Sequence, residues 1–380
     1  MSGNSLRARI VEDIRRTGPM PFSHYMEMCL YEPELGYYAQ PREQFGKAGD
    51  FYTSSDVHAV FGRLLARQFE EMWRVLGSPE RVDLIELGPG RGLFAADVLD
   101  WSLKQFREFA RALRYVLVEQ TEHLRARLHE RLAEHVAAGR AQLLDSLEFA
   151  GADTSGALIV FANEFFDALP VEIVDYRGSV RVAEGQGGFL EQFVPPSAEE
   201  LEYLDRYSVH PEAGERVEIN FAALHWMDRI AELFRNRRGF AIFIDYGYTR
   251  EEQLAGRHRD TLMTYRQHRA SASPYAAPGE RDITAHVNFT ALRAQAAERG
   301  LDEVALITQM QLLMGIGEET QFADAFQDCK LPQERAKVAL QLRHLLSPEE
   351  MGEKFHVLIL SHGIEKHQAA TLSGVKWVRS

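Results

Sequence analysis

Short apolar segments separated by stretches of helical periodicity constrain the fold of this chain more than any other feature. The segments are 82–87, 115–119, 142–144, 157–162 and 240–245. Each has the length of one strand, and most of the intervening stretches have the spacing of amphipathic helices. Strands that alternate with helices build βαβ units, which place parallel strands in one sheet. We therefore predict an α/β fold with a doubly wound core, completed by two later strands at 304–307 and 355–360.

The composition is that of an ordinary folded protein and excludes several classes of function. Of the 380 residues, 45% are hydrophobic and 26% are charged, which is the range of globular domains. The formal net charge of −13 argues against a nucleic-acid phosphate backbone as the main ligand. No apolar segment approaches the roughly 20 residues that span a bilayer. We therefore expect neither a nucleic-acid nor a membrane partner, and a cationic ligand fits the charge better.

The two cysteines and the N-terminal residues indicate a reducing compartment. Cys29 and Cys329 lie far apart and match no metal-ligand spacing, so we expect neither a disulfide framework nor a metal site. Residues 1–16 lack the apolar segment of a signal peptide, and Glu12 and Asp13 are unusual in an organelle transit peptide. We predict a cytoplasmic protein, or a mitochondrial matrix protein if the source is eukaryotic. A homodimer is compatible with the sequence, although no apolar stripe requires one.

Changes in sequence character divide the chain into three parts. We predict an N-terminal part of helices and aromatic loops at 1–80, a core at 81–171 and 239–380, and an inserted substrate-side part at 172–238. The insertion begins with alternating, glycine-containing sequence, which predicts an antiparallel hairpin. A polar loop follows at 247–282, and loops of that length in compact domains are usually functional or mobile.

A glycine cluster follows the first core strand, where the chain must turn into a helix. Glycines at this place let the backbone approach a ligand at a helix N-terminus, whose N–H groups favour an anionic group. A dinucleotide fingerprint needs its third glycine at position 93, but Leu93 stands there and the glycine comes one residue earlier. The candidate cofactor-binding residues of this turn are Glu86, Gly88, Pro89, Gly90 and Gly92.

Carboxylates stand at the ends of the next two strands. Glu119 ends the second strand, where a ribose-binding fold needs an acceptor for two hydroxyl groups. Asp145 follows the third strand and can accept a hydrogen bond from an adenine amino group. Each carboxylate alone is more often a solvated cap. Together with Glu86, they place carboxylates at the corresponding ends of three strands, which predicts a nucleoside site.

The fourth strand runs into the sequence Asn-Glu-Phe-Phe-Asp at 163–167. This place lies at the carboxyl end of the sheet, where α/β proteins bind ligands. Glu164 and Asp167 can share one face of a turn, and Phe165 can shield a reactive cation from water. The alternative is a helix start capped by Asn163, followed by core aromatic residues. The spacing alone favours neither interpretation.

Several segments, taken together, resemble the MidA family of S-adenosylmethionine-dependent methyltransferases. The matching segments are 18–22, 30–33, 36–38, 49–54, 86–92, 163–171, 244–247 and 282–287. The family includes a mitochondrial complex I assembly factor that symmetrically dimethylates a protein arginine. The resemblance implies a class I methyltransferase core, with a mostly parallel seven-stranded sheet and helices on both faces. It further implies S-adenosyl-L-methionine as cofactor, held also by the segment 49–54 with Thr53 and Ser54, and a protein arginine as acceptor. We add Asn163 and Phe165 as candidate cofactor-binding residues.

Transfer of a methyl group from a sulfonium needs positioning and electrostatics but no covalent nucleophile. With an arginine as acceptor, carboxylates can orient the guanidinium, so we take Glu164 and Asp167 as candidate catalytic residues. His286 is a third candidate, because a histidine can relay the released proton; the alternative is a helix cap. Candidate substrate-lining residues at the end of the fifth strand are Asp245, Tyr246 and Tyr248, and loop anchoring explains them equally well.

Three alternatives stay open at this point. A dinucleotide oxidoreductase needs the longer glycine motif and has no hydride-transfer residues here. A non-catalytic assembly module that keeps the cofactor as a structural ligand is also compatible, because the departures from the family pattern, at Asp56, Gln120 and Asn288, fall outside the glycine motif. A methyltransferase acting on another acceptor, such as a small molecule, is the third.

Overall fold

The computed structural model of the protein describes residues 5–40, 59–150, 156–266, 269–271 and 273–377. The strands are β1 (Met20–Pro21), β2 (Val82–Leu87), β3 (Leu113–Val118), β4 (Ala141–Leu144), β5 (Ala157–Asn163), β6 (Glu172–Asp175), β7 (Gly178–Gly185), β8 (Gly188–Val194), β9 (Arg216–Ile219), β10 (Gly239–Tyr248), β11 (Met263–Arg266), β12 (Arg269–Ser271), β13 (Asp282–Thr284), β14 (Val287–Asn288), β15 (Asp302–Thr308) and β16 (Phe355–His362).

The helices alternate with the strands over most of the chain. They are α1 (Leu6–Thr17), α2 (Phe22–Tyr31), α3 (Ala59–Val75), α4 (Leu93–Gln105), α5 (Arg107–Ala112), α6 (Glu122–Arg131), α7 (Ala133–Ala137), α8 (Leu147–Ala150), α9 (Ala198–Tyr207), α10 (Phe221–Phe234), α11 (Arg250–Leu254), α12 (Phe289–Glu298), α13 (Gln309–Glu318), α14 (Ala323–Phe326), α15 (Pro332–Leu346) and α16 (Lys366–Ala369). None of these helices, over the residues described, is long and apolar enough to cross a membrane.

Contacts between residues group the chain into two compact units, each built from several chain segments. The first unit comprises 1–51, 166–227 and 247–294, and the second comprises 52–165, 228–246 and 295–380. The boundaries inferred from the sequence at 80, 171 and 238 do not coincide with these segments and remain a prediction. The helix α3, for example, belongs to the second unit together with the glycine turn.

The second unit contains the predicted doubly wound sheet. Its strands follow the order β15-β16-β10-β5-β2-β3-β4. The five strands from β10 to β4 run parallel to their neighbours, whereas β16 is antiparallel to both β10 and β15. The strands expected from the apolar segments are therefore confirmed, as is the mostly parallel α/β core.

Continuous apolar sequence explains why β2 and β5 occupy the middle of this sheet. Every residue of β2 is buried, as is every residue of β5 except Asn163. Helices cover such strands on both faces, which is the usual arrangement of parallel sheets. On one face the rings of Phe94 from α4 and Phe161 from β5 stack with centroids 4.4 Å apart. This packing fixes the start of α4 over the end of the sheet, where the glycine turn lies.

The first unit is built on antiparallel sheets. The alternating sequence after residue 172 forms not one hairpin but a meander of three strands, β6, β7 and β8, joined by β9 and β1. The expectation of a polar loop at 247–282 was wrong, because this segment contains α11 and strands of a sheet ordered β12-β11-β13. In the N-terminal part, where helices and aromatic loops were expected, several aromatic residues lie in helix α2, whose buried residues include Tyr25 and Cys29.

Candidate functional site

The glycine turn joins β2 to α4 with three residues in the left-handed region. The φ angles are +62° at Gly88, +51° at Gly90 and +70° at Gly92, values that side chains rarely tolerate. The Gly92 N–H donates to the Pro89 carbonyl at 2.8 Å, and α4 begins at the next residue. The structure confirms the predicted strand, turn and helix.

Close neighbours leave little room for a side chain at two of these positions. A Cβ atom at Gly88 would lie 2.9 Å from Cδ2 of Phe165, and one at Gly92 would lie 2.6 Å from Cδ2 of Leu128. Both distances are shorter than van der Waals contact. The turn therefore presents bare backbone beside the ring of Phe165, so the two predicted cofactor-binding segments lie side by side.

Glu86 is the acidic residue of the turn, and its pKa is strongly perturbed. Its side chain is buried, and the Tyr115 hydroxyl donates to Oε2 at 2.8 Å. Burial raises the pKa of Glu86 to about 8, although the bond from Tyr115 lowers it.

The raised pKa of Glu86 predicts a pH dependence of stability. The folded state holds the proton more tightly than the unfolded chain, so this contribution is fully present below about pH 4.5 and is lost as the pH rises to about 8. We expect the melting temperature to fall between pH 5 and pH 9 more steeply in the wild type than in Glu86→Gln. Calorimetric melting curves of both proteins without cofactor check this, and parallel curves would contradict it.

The acids at the ends of β3 and β4 lie at neighbouring positions. The Glu119 N–H donates to the Leu144 carbonyl at 3.0 Å, one residue before Asp145. Oε1 of Glu119 accepts the Thr121 N–H at 2.8 Å, and burial raises the pKa of this carboxyl. Asp145 is exposed. The structure brings both predicted acids to the same edge of the sheet as the glycine turn.

The residues after β5 form a tight turn rather than the helix start that the alternative interpretation required. Glu164 has a φ of +52°, which is uncommon for a residue with a side chain and typical of functional sites. Its N–H donates to the Ile244 carbonyl at 2.9 Å, and its Oε1 accepts from Nδ2 of Asn163 at 3.0 Å. The Asp245 carboxylate accepts the Phe165 N–H at 3.2 Å.

Asp245 and Tyr246 have structural contacts beside their predicted substrate role. Asp245 is fully buried, and its Oδ1 also accepts the Tyr246 N–H at 2.9 Å. The Tyr246 ring packs edge-on against Phe355, with centroids 5.7 Å apart. These contacts show loop anchoring, the alternative considered above. An acceptor-lining role for either residue stays a prediction.

Three predicted residues belong to the first unit. Asp167 is buried, and its carbonyl accepts the Ala285 N–H at 3.0 Å. Tyr248 is fully buried, with its ring stacked on His258. His286 is not a helix cap, because α12 begins at Phe289 and Asn288 supplies the Oδ1 that accepts the Ala291 N–H. Instead, Nδ1 of His286 lies 3.1 Å from Nδ1 of His258.

The sequence did not single out Tyr38, Asp282 or His258. The Tyr38 hydroxyl donates to Oδ1 of Asp282 at 3.0 Å, and its ring stacks on Tyr31 with centroids 5.4 Å apart. Burial raises the pKa of Tyr38 well above its ordinary value, and the charges of Asp282 and Asp167 raise it further. Tyr38 and Asp282 both lie in segments that match the family, which is the signal that could have identified them.

Thr53 and Ser54, two predicted cofactor contacts, lie outside the described residues, and their roles stay predictions. For the other predicted cofactor contacts, the second unit offers a test of fit. Oδ1 of Asn163 is buried and has no hydrogen-bond partner among the described residues. A buried acceptor without a donor is costly, and the ammonium group of S-adenosylmethionine is such a donor. Bare backbone at the glycine turn and the half-buried carboxylate of Glu119 at the end of β3 complete a donor and acceptor set that fits this cofactor.

Comparison with known proteins identifies the group to which the chain belongs. The profile of a family described as "Putative S-adenosyl-L-methionine-dependent methyltransferase" matches residues 64–306. The mitochondrial protein arginine methyltransferase NDUFAF7 homolog of Drosophila melanogaster is 30% identical, over 94% of this chain and 84% of the fly protein. The human protein arginine methyltransferase NDUFAF7 is 26% identical, over 91% of this chain and 81% of its own length.

A solved structure agrees with these sequence relatives. A Burkholderia thailandensis protein crystallised with S-adenosyl-homocysteine superposes with a TM-score of 0.80 at 28% identity, covering 98% of this chain and 94% of that one. S-adenosyl-homocysteine is what S-adenosylmethionine becomes when it gives up its methyl group. The chain belongs to the matched family and is an S-adenosylmethionine-dependent methyltransferase of the MidA type.

Proposed function

We propose that the methyl acceptor is an arginine side chain of a protein. The observation that carries this proposal is the group of Tyr31, Tyr38, Asp167 and Asp282 in the first unit. Two stacked phenol rings, with centroids 5.4 Å apart, lie beside two buried carboxylates. Ring faces and carboxylates are the partners that a guanidinium prefers, since it stacks on aromatic rings and its planar fork donates two parallel hydrogen bonds to a carboxylate.

The contacts of this group support a role in binding a cation. Tyr31 is partly exposed and donates its hydroxyl to the Ala168 carbonyl at 2.9 Å, which fixes its ring next to the turn at Asp167. The Asp282 carboxylate also accepts the Ile283 N–H at 3.0 Å. The acidic net charge of −13 further favours a basic protein partner.

Bound S-adenosylmethionine supplies the methyl group, and the residues of the chain supply position and charge. In the proposal, Glu119 and the glycine turn hold the cofactor, and Asn163 receives its ammonium group. Glu164 and Asp167 orient the guanidinium and keep its charge away from the attacking nitrogen. Phe165, beside the turn at Gly88, keeps water from the sulfonium.

The family resemblance refines this proposal. Relatives are named as mitochondrial protein arginine methyltransferases, so we propose symmetric dimethylarginine as the product and a respiratory complex I subunit as the acceptor. The cytoplasm and, in a eukaryote, the mitochondrial matrix are the compartments that suit such a partner. We also propose that the protein can form a homodimer.

A labelling experiment tests the acceptor. The purified protein is incubated with S-adenosylmethionine carrying a tritiated methyl group and with protein extract from cells that lack the enzyme. Acid hydrolysis and chromatography then separate the methylated amino acids. We expect label in symmetric dimethylarginine, and its loss with Asp282→Asn. Label in lysine or in small molecules would assign a different acceptor, and no label with intact cofactor binding would contradict the proposal.

A further inference from the structure

Tyr115 lies in the middle of β3 and contacts the acidic residue of the glycine turn directly. Its hydroxyl donates to Oε2 of Glu86 at 2.8 Å. Both side chains are buried, Tyr115 completely and Glu86 with 4% of its surface exposed. This is the only hydrogen bond of the Glu86 carboxylate among the residues that the structure describes. The second carboxylate oxygen, Oε1, has no donor there.

The register of the sheet explains how Tyr115 reaches Glu86. In the parallel pair of β2 and β3, Tyr115 stands opposite Leu84, and Glu86 is two residues further along β2. Side chains two residues apart on a strand point to the same face of the sheet. Tyr115 and Glu86 are therefore diagonal neighbours on one face, at a separation that an aromatic side chain can span.

The same diagonal continues to Asn163 on the other side of β2. Glu86 stands opposite Phe161 of β5, and Asn163 is two residues further along that strand, on the same face. Oδ1 of Asn163 is buried and accepts no hydrogen bond within the described part of the chain. Three polar side chains thus follow one line across three neighbouring strands. The two that lie nearest the glycine turn, Glu86 and Asn163, each carry an acceptor oxygen without a donor.

Apolar side chains surround Glu86 on this face of the sheet. Leu117 of β3 and Phe161 of β5 stand opposite it in register, and Phe94 of α4 stacks on Phe161. Of the described residues, only Tyr115 acts on the ionisation of Glu86 as a titratable neighbour. A buried carboxylate without a cationic partner is costly. A positively charged ligand at this end of the sheet would offset that cost.

The Tyr115 hydroxyl is suited to be the donor in this bond. Burial raises the pKa of Tyr115 well above its ordinary value, and the charge of Glu86 and the hydrogen bond to it raise that pKa further. The hydroxyl therefore keeps its proton in the neutral pH range. Because an ionised carboxylate can only accept hydrogen bonds, the bond from Tyr115 occupies Oε2 and leaves Oε1 as the oxygen available to a ligand.

We propose that Tyr115 is a positioning residue for the cofactor: it holds Oε2 of Glu86, so that Oε1 of Glu86 and Oδ1 of Asn163 together accept the ammonium group of S-adenosylmethionine. An ammonium group carries a positive charge and three N–H donors, which match two acceptors of which one is charged. The inference rests on the predicted cofactor contacts of Glu86 and Asn163. It concerns the cofactor side of the site and does not depend on the identity of the methyl acceptor.

Tyr115→Phe removes only the hydroxyl. We expect it to weaken S-adenosylmethionine binding about 10-fold in titration calorimetry, because a hydrogen bond to a charged group is lost. Ser373→Ala is a matched control in the same unit, since the Ser373 hydroxyl also donates at 2.8 Å to a buried carboxylate, that of Glu71. Both variants should melt at a lower temperature, and only Tyr115→Phe should lose affinity. A wild-type affinity of Tyr115→Phe, or an equal loss in Ser373→Ala, would overturn the inference.

A double variant tests whether Tyr115 acts through Glu86. Glu86→Gln keeps the shape of the side chain but removes its charge, and we expect it to weaken cofactor binding more than Tyr115→Phe does. In the Glu86→Gln background, Tyr115→Phe should cause less than about a twofold further loss. Losses that multiply would show that Tyr115 acts independently of Glu86. A wild-type affinity of Glu86→Gln would remove Glu86 from the cofactor site, and either result would refute the proposal.

The pH dependence of binding separates positioning from packing. Burial raises the pKa of Glu86 to about 8, whereas the bond from Tyr115 lowers it, so loss of the hydroxyl raises this pKa further. The loss of affinity in Tyr115→Phe should therefore be largest near about pH 6.5 and shrink toward about pH 9, where Glu86 ionises without the bond. Glu86→Gln, measured at the same pH values, corrects for titration of the cofactor. A loss of affinity that is the same at every pH would indicate a packing defect and contradict the positioning role.

Discussion

Replacement of Gly90 by valine is expected to weaken S-adenosylmethionine binding at least about 100-fold, a loss of roughly 2–3 kcal/mol. Gly90 has a φ of +51° in the turn between β2 and α4. A β-branched residue is a severe outlier there, so the turn must change its path and withdraw the backbone groups that we predict to face the cofactor. Titration calorimetry of the purified proteins measures the effect.

Gly139→Val is a matched control for this variant. Gly139 lies in the same unit, after α7, and has a φ of +69° with no atom within 4 Å of an added Cβ. Valine there carries comparable backbone strain of about 1–3 kcal/mol but does not touch the predicted cofactor site. We expect both variants to lose stability and only Gly90→Val to lose binding. Similar losses of affinity in both would show that general strain, not the turn, is responsible.

Glu164→Gln is expected to lower the methyl-transfer rate about 100-fold or more, with the affinity for S-adenosylmethionine changed less than about threefold. The change keeps the size of the side chain and its bond from Asn163 but removes the charge that we propose orients the acceptor. Rates from tritium transfer and affinities from calorimetry on the same samples provide the comparison.

The exposed carboxylate of Glu148, paired with Arg229 in the second unit, supplies the control. Glu148→Gln should alter neither rate nor affinity, because a solvated ion pair contributes little. A parallel loss of rate and affinity in Glu164→Gln would assign Glu164 to cofactor binding or to the structure of the turn instead of to the acceptor.

The core sheet could be predicted from the sequence because each of its strands is a continuous apolar segment. The predicted segment at 82–87 coincides with β2, and 157–162 misses only the last residue of β5. The glycine turn could also be predicted from the sequence, because few residues other than glycine adopt its φ angles. The antiparallel direction of β16 could not be predicted, because an antiparallel strand buried on both faces has the same apolar pattern as a parallel one.

The proposed acceptor side of the site was harder to predict because its contacts join distant parts of the chain. Tyr38 reaches Asp282, and His258 reaches His286, through folding of polar loops that carry no periodic pattern. The first unit therefore appeared in the sequence as a hairpin and a long loop. Only the three-dimensional contacts reveal these two pairs of side chains.

The position of β16, second from one edge of the sheet, sets the order of events during synthesis of the protein. β16 lies between β10 and β15, yet it is made after both. A ribosome working at roughly 5–20 residues per second therefore holds a sheet with two unsatisfied strand edges until residues 355–362 emerge. Such edges can pair with other chains, so a nascent chain that stalls or ends before β16 should depend on chaperones and aggregate readily.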